Sequence, residues 1–177
     1  MALTYVDLND DVRRLMLAEI KRDVAAGTLF FSPRLSPRGL EDYPQLLQDA
    51  VASGSDASLE AEINRLGRLN LTEEKRKPGG IGHTTARVPS NAAEIIGSGE
   101  FNRFYLRALC IIALDAGVSS LIIYRARPSA HPRPESEAKI DTPIDATQLL
   151  ADLRNNIGVE PALGLPMVNS GLSARLP

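Results

Sequence analysis

Arg125, Arg127, His131 and Arg133 leave the end of one apolar segment together, and Glu135-Ser136-Glu137-Ala138-Lys139 follows them at once. Guanidinium forks bind carboxylates and phosphates through paired N–H donors, and a proline-stiffened loop costs little entropy to order. Three chemistries fit this cluster. They are an internal ion pair with Glu135, Glu137 or Asp152, an interface in which Arg125, Arg127 and Arg133 meet a neighbouring subunit's acidic surface, and a grip on an anionic ligand or nucleic acid. The Glu137-x-Lys139 spacing also suits a metal-dependent nuclease, in which the carboxylate ligates the metal and the lysine steadies the attacking water. Those triplets lie in an apolar strand, whereas Pro132 and Pro134 precede this one and the upstream Asp115 ends a helical pattern. An exposed loop or strand edge is therefore expected, with Glu137 a metal ligand only in the alternative reading.

A second string, Lys75-Arg76-Lys77-Pro78-Gly79-Gly80-Ile81-Gly82-His83-Thr84-Thr85, offers glycines, cations and hydroxyls. A phosphate loop needs Lys and then Ser or Thr after its last glycine, leading into a helix. Here His83 follows, and Val88-Pro89 opposes helix continuation. An exposed, flexible arm without regular structure is expected, followed by a short strand over 84–88 as one option before Pro89, and Lys75, Arg76, Lys77 and His83 are nucleic-acid contacts in the alternative reading. Ser-His-Asp order, Gly-x-Ser-x-Gly, HExxH and paired-cysteine motifs are all missing. No catalytic residue and no cofactor is expected, and enzymatic activity is less expected than its absence. The lone Cys110 falls in an apolar helical pattern, which excludes an internal disulfide and suits a reducing compartment.

These groups must be positioned by a small number of elements. Residues 98–127 read as an almost wholly apolar helix followed by a β-branched strand at 121–126, with Arg103 and Arg107 as cations that need buried carboxylates such as Glu100. Gly97-Ser98-Gly99 reads as a break between that helix and a short one before it. Upstream, Asn9 or Asp10 caps a first helix that Gly27 ends, and Ser36-Pro37 starts a second. There Pro44 either begins a new helix or kinks a longer one. A third helix is expected over 58–69. The prolines of PSAHPRPESEAKIDTP favour an extended path, and Asp145 caps a last helix, 146–156. The fold class is α/β (α+β), a helical N-terminal portion with a C-terminal domain of one buried helix and a small sheet. The expected divisions are a helical region 1–67, a basic Gly-rich linker or arm 68–89, an α/β core domain 90–158, and an extended apolar tail 159–177.

The chain has 177 residues, 44% of them hydrophobic, enough for a real core. Its net charge of −2 is unevenly spread, with 11 basic against 7 acidic side chains in residues 68–139 and acidic excess on either side. Alternation of this kind suits contacts between complementary protein surfaces better than a dedicated nucleic-acid binder, which carries a strongly positive domain. The N-terminus has no signal-peptide pattern and no segment reaches the length of a spanning helix, so a soluble, cytoplasmically made protein without membrane contact is expected. The tail residues Leu163, Leu165, Met167, Leu172 and Leu176 are too apolar to stand in water. They are expected to dock on their own domain or a neighbour, as interface residues whose removal with 160–177 spoils assembly and spares the domain.

The strings GEFNRFYLRALC, YRARPSAHPRPESEA, LLADLR and NSGLSARL, with a looser likeness in LSPRGLEDYPQLL, resemble an uncharacterised group of proteins encoded by bacteriophages and prophages. The resemblance covers mainly residues 98–177 and brings no catalytic role with it. It implies a structural component of a virion. The functional expectation is a non-enzymatic assembly protein in the head, neck or head-to-tail junction of a phage particle, a homo-oligomer or part of a multi-protein assembly. A metal-dependent nuclease or nucleic-acid-binding factor is the alternative, and a small inhibitor or regulator of a host enzyme a further one.

Overall fold

A computed structural model of the chain describes residues 2–77, 79–129, 131–167 and 170–177. It is a mixed α+β fold. Helix α1 (Asp10–Ala26) starts where the Asn9 side chain accepts from the Val12 N–H at 3.0 Å, with Asp10 and Asp11 favourably placed in the first turn. Gly27, left-handed at φ 67°, closes it. Helix α2 (Pro37–Ser53) begins at Ser36, which caps the Gly39 N–H, and runs through Pro44 as one helix. Helix α3 (Asp56–Ile63) is shorter than the expected 58–69 and starts two residues earlier, because Ser55 and Ser58 form a reciprocal capping box.

Strands β1 (Thr72–Arg76) and β2 (His83–Arg87) pair antiparallel, Thr72 opposite Arg87 and Arg76 opposite His83. The stretch expected as an arm without regular structure is thus a hairpin. Thr84 and Thr85 favour strand geometry, and Gly79, Gly80 and Gly82 adopt the positive φ that the turn demands.

Helix α4 (Ala92–Asp115) is the axis of the molecule, with α1, α3 and helix α6 (Ala146–Asn155) packed around it. The expected break at 97–99 does not occur. A Cβ on Gly97 would lie 3.0 Å from Glu60 N and 3.1 Å from Asp56 O, so that glycine admits the α3 backbone rather than ending the helix.

Strand β3 (Ser120–Arg125) is central in a three-stranded antiparallel sheet, flanked by β4 (Pro143–Asp145) and β5 (Leu172–Arg175). Between β3 and β4 the chain makes a single helical turn, α5 (Pro134–Glu137), started by Pro134, where an extended path was expected. Asp145 caps α6 as expected, accepting from Gln148 N at 2.8 Å. One continuous apolar cluster joins Met16, Leu47 and Leu59 of the first three helices to Phe101 and Leu109 of α4, Ile123 of β3, Leu153 of α6, and Leu165 and Leu172 of the tail.

That last group takes the first of the two places expected for the tail, its own domain. Leu165 and Leu172 are buried in the chain's own core, and Leu163 and Leu176 pack half-buried against it. Polar contacts sew the segment down. Asn102 Nδ2 donates to Leu172 O while its Oδ1 accepts from the Ser173 hydroxyl, Asp152 accepts from Ala162 N and Leu163 N, and Asp7 accepts from Leu176 N. No helix among the described residues is long and apolar enough to cross a membrane.

Candidate functional site

The hairpin is clamped at its root and exposed along its length. At the root, Asn70 N donates to Arg34 O, the Asn70 amide bridges Pro33 O and Leu35 O, and Val88 N donates to Leu71 O. Arg34 Nε donates to Glu73 Oε2 at 2.6 Å, and Lys75 lies 3.1 Å from the same carboxylate, so Arg34 first and Lys75 second hold the Glu73 carboxyl below its usual range. Beyond this clamp, all but two residues of the two strands are exposed. Three large apolar side chains stand in water at the tip and root: Ile81 at 89%, Leu71 at 87% and Leu66 at 95%.

Lys75, Arg76, Lys77 and His83 are brought together at the outer end of this ribbon, Arg76 directly across from His83. The sequence placed them in one string. It did not disclose that a strand pair presents them on a protruding finger, because that pairing depends on the turn rather than on side-chain periodicity.

The arginine cluster divides. Arg125, at the end of β3, is engaged by the Glu137 carboxylate and donates to Ser170 O at 2.9 Å. Arg127 pairs with Glu94 of α4 at 2.6 Å. Internal ion pairing therefore describes Arg125, with the expected Glu137, and Arg127, with Glu94. Arg133 is exposed and donates to the Met167 sulfur at 3.6 Å. Met167 is half-buried beside it.

Glu137 sits on a one-turn helix, not in a strand, and Lys139 Nζ donates to Leu163 O at 3.0 Å. Both members of the triplet are thus committed to holding local structure, and among the described residues no group of three His, Cys, Asp or Glu side chains gathers to hold a metal. The nuclease geometry, with a strand-borne carboxylate beside a free lysine, does not form here.

Sequence reasoning missed the deepest charge network. Arg107 of α4 has no exposed surface, and its fork reaches α1, Nε to Glu19 at 2.8 Å and Nη1 to Asp23 at 2.5 Å. Arg154 of α6 binds the same Glu19 at 2.6 Å. Burial works against the Glu19 charge, but Arg154 and Arg107 together hold its carboxyl below the usual range. This network locks α1, α4 and α6 together and offers no open coordination to a substrate. No family profile matches the chain, no curated protein is significantly similar to it, and no solved structure matches its fold.

Proposed function

We propose that the chain is a non-enzymatic assembly protein that joins a second copy of itself through the 72–87 hairpin. The observation that carries this reading is a two-stranded ribbon that projects from a well-packed body with both faces largely exposed and with Leu71 and Ile81 in water. An isolated two-stranded hairpin is marginal in water, and its unpaired edges are templates for another strand. The basic end of the ribbon, with Lys75, Arg76, Lys77 and His83, complements the acidic entrance of α1, where Asp10 and Asp11 are exposed on the same chain. The particle-level expectation, a phage head, neck or junction, rests on the sequence resemblance alone.

The test is the mass in solution of two proteins: the full chain, and a variant in which Thr72 is joined to Arg87 through Asn-Gly, a tight turn that preserves the root. The expected result is a concentration-dependent oligomer for the full chain and a folded monomer for the variant. A strictly monomeric full chain, or a variant that associates equally, overturns the reading.

The same juxtaposition of three cationic residues with His83 at the end of a β-ribbon favours a second reading, backbone contact with a nucleic-acid duplex, since ribbons of this width enter a groove. Binding to a random-sequence duplex that weakens steeply with salt and disappears in the shortened variant would support it. Equal retention of the two proteins on such a duplex removes it.

A further inference from the structure

Resting on the self-association assigned to the hairpin, we propose that two copies of the chain join edge to edge along β2. Thr85 of each copy lies opposite Thr85 of the other, and the two ribbons become one four-stranded antiparallel sheet. The edge, the register and the symmetry all follow from which backbone groups the hairpin leaves free and which side chains stand beside them.

Lys77 N donates to Gly82 O and Val88 N to Leu71 O, so the odd-numbered residues of β1 turn their backbone N–H and C=O groups inward to β2. By the two-residue alternation of an antiparallel ladder, Thr72, Glu74 and Arg76 turn theirs outward on the β1 edge, and His83, Thr85 and Arg87 on the β2 edge. No third strand pairs with either edge among the described residues. The side chains of these six residues share one face of the ribbon, which is exposed throughout. Glu73 and Ala86, both half-buried, lie on the other face, where Arg34 of the body holds Glu73.

The two edges differ in what a second copy would meet. On β1, Glu73, Glu74, Lys75 and Arg76 are followed by Lys77 and Pro78, charges and a proline of the kind that keep an edge unpaired. Each central two-fold register of that edge sets a charge against its own copy: Glu73, Glu74 or Lys75. Like charges directly opposite are destabilising. The β2 sequence His-Thr-Thr-Ala-Arg has no such protection. Centred on Thr85, it sets Thr85 against Thr85, Thr84 against Ala86 and His83 against Arg87, so no carboxylate meets a carboxylate and no guanidinium another. Threonine pairs favour a sheet, and this is the register in which all three outward residues of each copy enter doubly hydrogen-bonded pairs.

The same arrangement gives the exposed apolar side chains of the ribbon a place. Antiparallel pairing lays the tip of each hairpin beside the root of the other, bringing Ile81 of one copy to the end where Leu71 of the other stands in water. Because both copies use the same edge, the contact closes at two chains, whereas pairing β1 of one copy with β2 of the next would run on into a fibre.

Matched prolines test this, since Thr85 and Glu74 both direct their N–H outward and a proline at either removes no bond of the hairpin's own ladder. Sedimentation of the full chain should show a concentration-dependent dimer. Thr85→Pro should weaken it by about tenfold or more, one ladder bond being lost from each copy, and Glu74→Pro should leave its affinity unchanged. Should Thr85→Pro spoil the hairpin itself, cysteines decide. Thr85→Cys should cross-link to itself in diamide far faster than Glu74→Cys, because paired Cα atoms about 5.5 Å apart suit a disulfide and the native Cys110 is buried. A monomeric wild type overturns the hairpin reading and this proposal together. A wild-type assembly that exceeds a dimer, survives Thr85→Pro, is lost in Glu74→Pro, or cross-links no faster through Thr85→Cys than through Glu74→Cys overturns the β2 edge alone and leaves self-association through the hairpin standing.

Discussion

Arg107 illustrates how residue type was legible before residue partnership. A cation in the middle of an apolar helix must be paired, and the sequence names that requirement, but it suggests Glu100 as the answer. Glu100 instead faces Arg103, four residues before Arg107, while Arg107 is answered by Glu19 and Asp23 of α1 and stacks over the Phe104 ring at 5.0 Å. The partner lay some eighty residues away in sequence, where no local pattern announces it. Arg107→Met should cost about 3–5 kcal/mol in a urea transition, since it leaves the buried Asp23 carboxylate uncompensated and Glu19 with Arg154 as its close partner. The two glutamates on this axis should respond to pH with opposite signs. Glu19 has a lowered folded pKa, so its stabilisation is complete above the unfolded value near ~4.3 and fades as pH falls through the folded value. Glu100 is raised, burial outweighing Arg103 and Arg107, so its charge costs stability as pH rises above the unfolded value. Thermal melts of Glu100→Gln should therefore show a gain at pH 7 that shrinks toward pH 4, and Glu19→Gln a loss at pH 7 that shrinks as the medium becomes acid. Cys110 is buried with its thiol pushed up to about 12, and disulfide reagents should label it only as fast as the protein opens.

At the scale of elements, the helices with local start signals and the β-branched strand β3 were legible, and the strand that pairs with it from the far end of the chain was not. Asn9, Ser36-Pro37 and Asp145 act on the backbone within three residues of themselves, so α1, α2 and α6 begin where the sequence says. Strand β5 leaves no such mark. LSAR becomes a strand because it completes the edge of β3, Ile123 opposite Ala174 and Arg125 opposite Leu172, and because Asn102 of α4 fixes its register. Deleting residues 171–177 should therefore abolish the cooperative urea transition, in contrast to the sequence-based expectation that the domain survives loss of its tail. The glycines of α4 give a matched pair. Gly99→Ala should raise stability by about 0.5–1 kcal/mol, whereas Gly97→Ala pushes against the α3 backbone and should fall about 1–2 kcal/mol below it in the same melt.

Across the whole molecule, charge and hydrophobicity are arranged at different radii. The apolar cluster and the Glu19–Arg107–Asp23–Arg154 network knit the first helices to α4 and α6, while the basic excess of the middle third is displayed partly on the hairpin finger. The mixed α+β class and the helical first third could be read from periodicity alone. The finger could not, because it depends on a turn that pairs two polar strings. Among its described residues the finger contributes no side chain to the apolar cluster, although it sits between the two stretches that do. A trypsin cut at Lys75 or Arg76 should accordingly leave both pieces bound to one another, separable in denaturant and competent to reconstitute when mixed. Residues 68–89 thus mark a natural seam at which the polypeptide can be made as two halves, each requiring the other's helices to fold.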